Sequence, residues 1–107
     1  MFGFFGPATP GLAPKDVQAR LASTAAPLVL DVREASEFAR GRVPGSLTIP
    51  LPSLAARLKE LPPDREIVVV CQSGARSAAA TRLLREAGRQ AFNMTGGMSA
   101  WRGPVEK

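Results

Sequence analysis

Cys71 is the only cysteine of this 107-residue chain and its strongest candidate for chemistry. The chain contains no histidine. Cys71 directly follows the apolar run Ile67–Val70 and opens a loop of small and polar residues, which are Gln72, Ser73, Gly74, Ala75, Arg76 and Ser77. A continuous β-branched run is typical of a buried parallel strand, and the ligand sites of open α/β folds lie at the carboxyl ends of such strands. The sequence therefore predicts that Cys71 lies at the mouth of a site.

The loop after Cys71 favours the charged form of its thiol. The residues from Ser77 onward are expected to begin a helix, whose free N–H groups and positive dipole end attract an anion. Backbone N–H groups of a short curled loop point inward in the same way, and Gly74 permits conformations that a side chain would forbid. We therefore expect a lowered pKa for the Cys71 thiol. The other interpretation is a small buried hydrophobic residue, as most free cysteines are, but Arg76 and Ser77 do not suit an apolar core.

Four segments of the chain resemble the signatures of the rhodanese family, in the order that the family has them. The segments are residues 31–38 (DVREASEF), 41–50 (GRVPGSLTIP), 71–76 (CQSGAR) and 96–101 (GGMSAW). Together they extend over most of the chain from Leu28 to Trp101. Two residues depart from the family pattern: Arg42 stands where the family usually has a histidine, and Ser73 stands where some members carry a basic residue that contacts the substrate.

The resemblance implies a sulfurtransferase of the thiosulfate:cyanide type. A Cys71 thiolate would attack the outer sulfur of a small anionic donor such as thiosulfate, expel sulfite and hold the sulfur as a persulfide within the loop of residues 72–77. A thiophilic acceptor, which is cyanide, a thiol or a partner protein, would then remove that sulfur. No metal and no organic cofactor is expected. Because the chain has no histidine, the ionisation of Cys71 must come from the loop, the helix start and Arg76.

Two other functions stay open at the level of the sequence. A cysteine-dependent phosphatase or arsenate reductase also places a cysteine on a loop that ends in arginine, but its loop is one residue longer than the stretch Gln72 to Ala75 found here. The shorter loop should suit a single sulfur atom better than a tetrahedral oxyanion. The other alternative is a binding or sulfur-carrier module that uses the fold without catalysis, since fold does not determine function.

Three charged residues are expected to support the loop. Asp31 ends a predicted strand at the same sheet edge as Cys71, and Arg33 and Glu37 follow it closely. A carboxylate near a helix start and an ion pair between Arg33 and Glu37 would pin the connection between the strand and the next helix. Their roles are therefore expected to be structural.

Composition and charge limit the functional classes further. Hydrophobic residues make up 45% of the chain, which is enough to fill one core. The net charge is +5, but the basic residues are scattered, so no nucleic acid partner is expected. No acidic residue lies between Glu66 and Glu86, and the arginines of that interval should attract small anions. No apolar stretch reaches membrane-spanning length. A lone reactive thiol suits a reducing cytoplasm, and a monomer is expected.

Strand and helix patterns alternate along the chain. Strands are predicted at 28–32, 46–49, 66–70 and 90–94, and helices at 14–23, 34–39, 53–60 and 77–87. This alternation predicts an α/β domain with a parallel sheet and helices on both faces. The resemblance implies a small rhodanese-like fold of about five strands. Residues 1–13 are predicted to be a flexible lead-in, and residues 14–107 to form the domain.

Overall fold

Residues 9–107 are described by the computed structural model, and they form a five-stranded parallel sheet with helices on both faces. The strands are β1 (Gly11–Leu12), β2 (Leu28–Asp31), β3 (Leu47–Thr48), β4 (Ile67–Val70) and β5 (Ala91–Met94). The helices are α1 (Pro14–Leu21), α2 (Ala35–Arg40), α3 (Leu51–Leu54), α4 (Ala75–Glu86) and α5 (Gly97–Ala100), with a 3-10 helix at Ala55–Glu60. The order across the sheet is β1-β5-β4-β2-β3. The predicted fold class is confirmed.

The central strand β4 requires helices on both faces of the sheet. Its four side chains are fully buried, and successive ones enter opposite layers. Ile67 and Val69 pack into the layer of α3 and α4, whereas Val68 and Val70 pack into the layer of α1 and α5. Each such side chain contributes about 1.5–3 kcal/mol when it is buried. Because Val70 pairs in register with Asp31 of β2, these two strands end at the same edge of the sheet.

The predicted lead-in is corrected at its carboxyl end. Gly11 and Leu12 form the edge strand β1, which pairs in parallel with Asn93 and Met94 of β5. A strand of two residues has no periodicity for a pattern to detect, so its place in the sheet comes from the partner strand. Residues 1–8, which the prediction also assigned to the lead-in, lie outside the described residues.

The helices differ from the prediction in three places. Helix α4 begins at Ala75, so Ser77 lies in its first turn instead of opening it. The predicted helix over 53–60 is a short α-helix followed by a 3-10 helix, with a non-helical residue at Arg57 (φ −117°, ψ 17°). Helix α5 is absent from the predicted elements because it starts at Gly97, a poor helix former. Among residues 9–107, no helix has the length and apolar character needed to cross a membrane.

Candidate active site

The sulfur of Cys71 lies among three hydrogen-bond donors at the carboxyl end of β4. The backbone N–H of Gly74 donates to Sγ at a distance of 3.0 Å, and the backbone N–H of Ser77 at 3.3 Å. The Ser77 hydroxyl lies 3.2 Å from Sγ. Cys71 itself is fully buried. We call these three groups the sulfur cradle. Donors that converge on one sulfur favour its anionic form.

The net effect of these surroundings is a lowered pKa for Cys71. Burial alone raises the pKa of a thiol, because it disfavours the charged form. Hydrogen bonds from the Ser77 hydroxyl and from the backbone N–H groups of Ser77 and Gly74, with a smaller effect of the Ser73 N–H group, outweigh burial, and the pKa of the Cys71 thiol falls below its ordinary value. The site therefore favours a thiolate without any basic side chain that removes the proton.

Gly74 determines the shape of the cradle. It has a φ of 103° and directly precedes α4, so it turns the chain from the loop into the helix through a left-handed conformation that favours glycine. A Cβ at this position would also lie 3.2 Å from the backbone nitrogen of Gly96. The turn directs the N–H groups of Gly74 and Ser77 at the same sulfur.

Helix α5 holds the other side of the loop. The backbone N–H of Met98 donates to the carbonyl oxygen of Cys71 at 2.8 Å, and that of Ser99 to the carbonyl oxygen of Gln72 at 3.0 Å. This approach is possible because residue 97 is glycine: a Cβ there would lie 2.5 Å from both carbonyl oxygens. Free N–H groups of α5 thus fix the backbone of Cys71 and Gln72.

Asp31 and Arg33 form a buried ion pair beside the loop, with exposed fractions of 1% and 3%. The Arg33 guanidinium donates to both carboxylate oxygens of Asp31 at 2.8–3.2 Å. It also donates to the carbonyl oxygen of Gly41 at 2.7 Å and to the side-chain oxygen of Gln72 at 3.3 Å. The Arg33 guanidinium therefore connects the end of β2, the residue after α2 and the loop that follows Cys71, which we call the active loop.

Glu37 pairs with Arg76, and the predicted pair between Arg33 and Glu37 is wrong. Two nitrogens of Arg76 donate to the two carboxylate oxygens of Glu37 at 2.8 and 2.9 Å. The Arg76 hydrogen bonds, opposed by burial, lower the pKa of the Glu37 carboxyl to about 2. Because Arg33 uses its fork on Asp31, Glu37 is left to the arginine at the start of α4. The arginine of the loop thus faces α2, and the direct donors to Cys71 are the cradle groups.

Asn93 of β5 belongs to the site although the sequence analysis does not include it. Its Oδ1 lies 2.5 Å from the Ser77 hydroxyl oxygen, and its Nδ2 donates to the carbonyl oxygen of Gly74 at 3.3 Å. The residue is 8% exposed. A signal was available in the sequence, because asparagine is depleted in strands and stands here at the carboxyl end of an otherwise apolar one.

An open pocket of about 350 Å³ adjoins the loop. Its lining residues are Arg33, Glu37, Arg40, Gly41, Gln72 and Met98. Of the loop residues, Gln72 lines this pocket, and Ser73 and Ala75 are exposed outside its lining. The Gln72 amide also donates to the Ser99 hydroxyl at 3.1 Å. Within residues 9–107, no three His, Cys, Asp or Glu side chains are grouped so that they could hold a metal ion.

Comparison with known proteins gives a consistent family. A family model described as the Rhodanese-like domain matches residues 13–104. A sulfurtransferase from Allochromatium vinosum is 40% identical over 83 residues, which are 77% of this chain and 78% of that protein. A candidate sulfur carrier protein from Bacillus subtilis is 38% identical over 79 residues, which are 73% of this chain but 43% of the longer relative.

Solved structures agree with the family model. The crystal structure of a rhodanese-related protein from Thermoplasma volcanium superposes with a TM-score of 0.85 at 32% identity. The match covers 91% of this chain and 97% of that one. The likeness therefore includes the whole sheet and the layers of helices that position the loop.

Proposed function

This chain belongs to the rhodanese-like family, and on that premise we propose that it is a sulfurtransferase that carries sulfane sulfur on Cys71 as a persulfide. The observation that carries the proposal is the sulfur cradle, in which Gly74 and Ser77 direct three donors at one sulfur. The relatives named as a sulfurtransferase and as a candidate sulfur carrier support the same class of chemistry. Thiosulfate is the proposed donor.

The first step is attack on the donor. The Cys71 thiolate forms a bond to the outer sulfur of thiosulfate, the bond between that sulfur and the sulfonate breaks, and sulfite leaves with the electron pair. No proton moves in this step when Cys71 reacts as the thiolate. A lowered pKa of the Cys71 thiol therefore replaces the general base that the chain lacks.

The second step returns the thiolate. A thiophilic acceptor attacks the outer sulfur of the persulfide, the S–S bond breaks, and Sγ of Cys71 takes the electron pair. The cradle N–H groups of Gly74 and Ser77 then stabilise the departing thiolate, as fixed donors do for any anion that develops in a closed site. The acceptor class is cyanide, a low-molecular-weight thiol or a partner protein.

The pocket beside Gln72 is the proposed entrance for the donor. Two charged residues of the pocket lining, Arg33 and Glu37, are each in an ion pair. The third, Arg40, gives the pocket a net positive charge, which attracts an anion. The proposed working form is a monomer. A single thiol that must stay reduced suits a reducing cytoplasm.

A sulfur carrier is the second candidate function, and the name of the Bacillus relative favours it. A carrier would form the same Cys71 persulfide but would release the sulfur to one protein partner only. The two candidates therefore differ in turnover: a sulfurtransferase with a small acceptor regenerates its thiolate repeatedly, whereas a carrier stops after one sulfur for each chain.

The experiment measures intact mass and turnover on the same protein. Exposure to thiosulfate should add one sulfur atom to the native protein and none to Cys71→Ser, and cyanide should then remove it with release of thiocyanate. Repeated turnover supports the sulfurtransferase, and a single round supports the carrier. An activated aryl phosphate tests the phosphatase alternative. Hydrolysis of that ester faster than sulfur transfer, or no added sulfur on the native protein, would overturn the proposal.

A further inference from the structure

The Ser77 hydroxyl faces two acceptors and has one hydrogen. Its oxygen lies 3.2 Å from Sγ of Cys71 and 2.5 Å from Oδ1 of Asn93. Ser77 is fully buried and Asn93 nearly so, which leaves little room for water to replace either partner. When Cys71 is a thiolate, neither of these neighbours carries a hydrogen to give, so only one of the two bonds can form at a time.

The orientation of the Asn93 amide follows from its other contact. The carbonyl oxygen of Gly74 lies 3.3 Å from the amide and can only accept a hydrogen bond, so the amide nitrogen faces it. The amide oxygen is consequently directed at Ser77. Asn93 therefore competes with Cys71 for the hydroxyl hydrogen and does not supply one.

We propose that Asn93 is a positioning residue for sulfur transfer. It acts through Ser77, because its Oδ1 accepts the hydrogen bond of the Ser77 hydroxyl whenever Cys71 is a persulfide. This inference rests on the proposed persulfide cycle. In the free enzyme the thiolate is a charged acceptor and holds the hydrogen, because a charged acceptor makes the stronger bond. After transfer, Sγ is bonded to a second sulfur that carries the charge, and the hydroxyl turns to Oδ1 of Asn93.

The cycle balances without any further reactant. The thiolate and thiosulfate give the persulfide anion and sulfite, so the total charge is unchanged and no proton is gained or lost. The hydroxyl hydrogen of Ser77 only changes its acceptor, between Sγ of Cys71 and Oδ1 of Asn93. Asn93 thereby stabilises the persulfide relative to the thiolate, because its hydrogen bond with Ser77 is made in the persulfide state and is lost in the thiolate state.

The charged groups near Cys71 do not explain such an effect. They form two ion pairs, Asp31 with Arg33 and Glu37 with Arg76. The strand β5 and the helix α5, which also pack against the loop, contain no charged residue. Substitution of Asn93 therefore leaves every charge around the thiol in place.

The test is a double-mutant cycle with Asn93→Leu, Ser77→Ala and the double variant. The pKa of Cys71 is read from the rate of alkylation against pH, which does not require sulfur transfer. With Ser77 present, Asn93→Leu should lower the pKa of Cys71 by roughly half a unit to one unit, the worth of one neutral hydrogen bond. In the Ser77→Ala background the same substitution should leave the pKa unchanged.

A second measurement follows the persulfide directly. At a fixed ratio of thiosulfate to sulfite, intact mass gives the fraction of chains that carry the extra sulfur. Asn93→Leu should lower that equilibrium constant roughly two- to tenfold, again only when Ser77 is present. If the native protein never gains sulfur, the proposed function fails, while the pKa cycle still reports whether Asn93 acts through Ser77.

Equal pKa shifts in both backgrounds would overturn the inference, because Asn93 would then act by holding the Gly74 carbonyl. Asn93→Val is the substitute should leucine not fit the strand, and circular dichroism checks both variants. If neither folds, the side-chain amide resonance of Asn93 in the native protein decides. That resonance should shift when Cys71 is loaded with sulfur, and a constant position would contradict the proposal.

Discussion

At the scale of single residues, hydrogen-bond donors, and not a basic side chain, favour the thiolate form of Cys71. Three donors from Gly74 and Ser77 surround a sulfur that is fully buried. The two backbone N–H donors are fixed, and fixed donors cost no reorganisation when charge moves on or off the sulfur. The arrangement therefore suits a group that must be both a nucleophile and a leaving group within one cycle.

Replacement of the nucleophile gives the first prediction. Cys71→Ser should abolish sulfur transfer from thiosulfate to cyanide, because a hydroxyl is a poor sulfur acceptor. The change is small, so the far-ultraviolet circular dichroism spectrum should match that of the native protein. Steady-state thiocyanate formation is the measurement. Full activity in the variant would show that another group accepts the sulfur.

The titration of the same thiol gives the second prediction. The pKa of the Cys71 thiol is lowered, so its thiolate forms at a lower pH than that of an ordinary thiol. The alkylation rate should therefore rise with pH around a midpoint below that of a free cysteine. Ser77→Ala removes one donor and should move the midpoint upward. A native midpoint at or above that of a free thiol would contradict the cradle.

At the scale of elements, the loop that follows Cys71 is held by four neighbours besides its own helix. Helix α2 holds it through Glu37 and Arg76, and α5 through the carbonyl oxygens of Cys71 and Gln72. Strand β5 holds it through Asn93, and the end of β2 through the bond from Arg33 to Gln72. These contacts come from different parts of the chain. The loop owes its shape to packing as well as to its own sequence.

The contact with α5 gives the third prediction. Gly97→Ala would place a Cβ 2.5 Å from two loop carbonyl oxygens, so the loop must move, and sulfur transfer should fall about 100-fold or more. Gly88→Ala is the matched control, since its φ is also positive (84°) but nothing lies within 4 Å of the added atom. The control should lose about 1 kcal/mol of stability and keep its activity. Equal loss of activity in both variants would point to backbone strain instead of loop displacement.

Local patterns account for the elements that bury one face or two. The run Ile67–Val70 is visible in the sequence because burial on both faces makes it continuously apolar, and helix α4 is visible because burial of one face gives it a helical repeat. The edge strand β1 and the helix α5 show no such pattern, since each is only two to four residues long. Their positions depend on partners that lie far away in the chain.

Within the candidate site, the place of Cys71 and its loop at the end of β4 was predictable, and the partners of the charged residues were not. Cys71 lies between an apolar run and a stretch of small and polar residues, and this local pattern marks the end of a strand. Arg76 lies 39 positions after Glu37 in the chain, so the pairing of these two residues depends on the fold and not on a local pattern. The same holds for Asn93, whose contact with Ser77 appears only when β5 lies beside β4.

At the scale of the whole molecule, excess positive charge surrounds an otherwise balanced site. The net charge is +5, while the carboxylates of Asp31 and Glu37 are both consumed by ion pairs at the loop. Arg40 lines the pocket and takes part in none of the ion pairs found among residues 9–107. An anion that approaches this edge of the sheet therefore meets an attractive field.

That field gives the fourth prediction. Raising the ionic strength from about 0.01 to 0.1 M shortens the Debye length from about 30 to 10 Å and should lower kcat/KM for thiosulfate several-fold. Arg40→Gln should lower kcat/KM at low salt and weaken its salt dependence. Lys59→Gln removes the same charge from the end of the 3-10 helix, outside the pocket, and should do neither. Equal effects of the two variants would mean that only net charge matters.

The dependence of the loop on α5 has a consequence for the order of synthesis. Translation delivers Cys71 well before Gly97, Met98 and Ser99, whose backbone completes the support of the loop. The emerging thiol should therefore have ordinary reactivity until the last part of the domain leaves the ribosome. Ribosome-bound chains that stop before Gly96 and continue into a long linker should be alkylated with the pH profile of a free cysteine, whereas chains that reach Lys107 before the same linker should show the lowered midpoint. The same profile for both lengths would mean that the nucleophile matures without its carboxyl-terminal support.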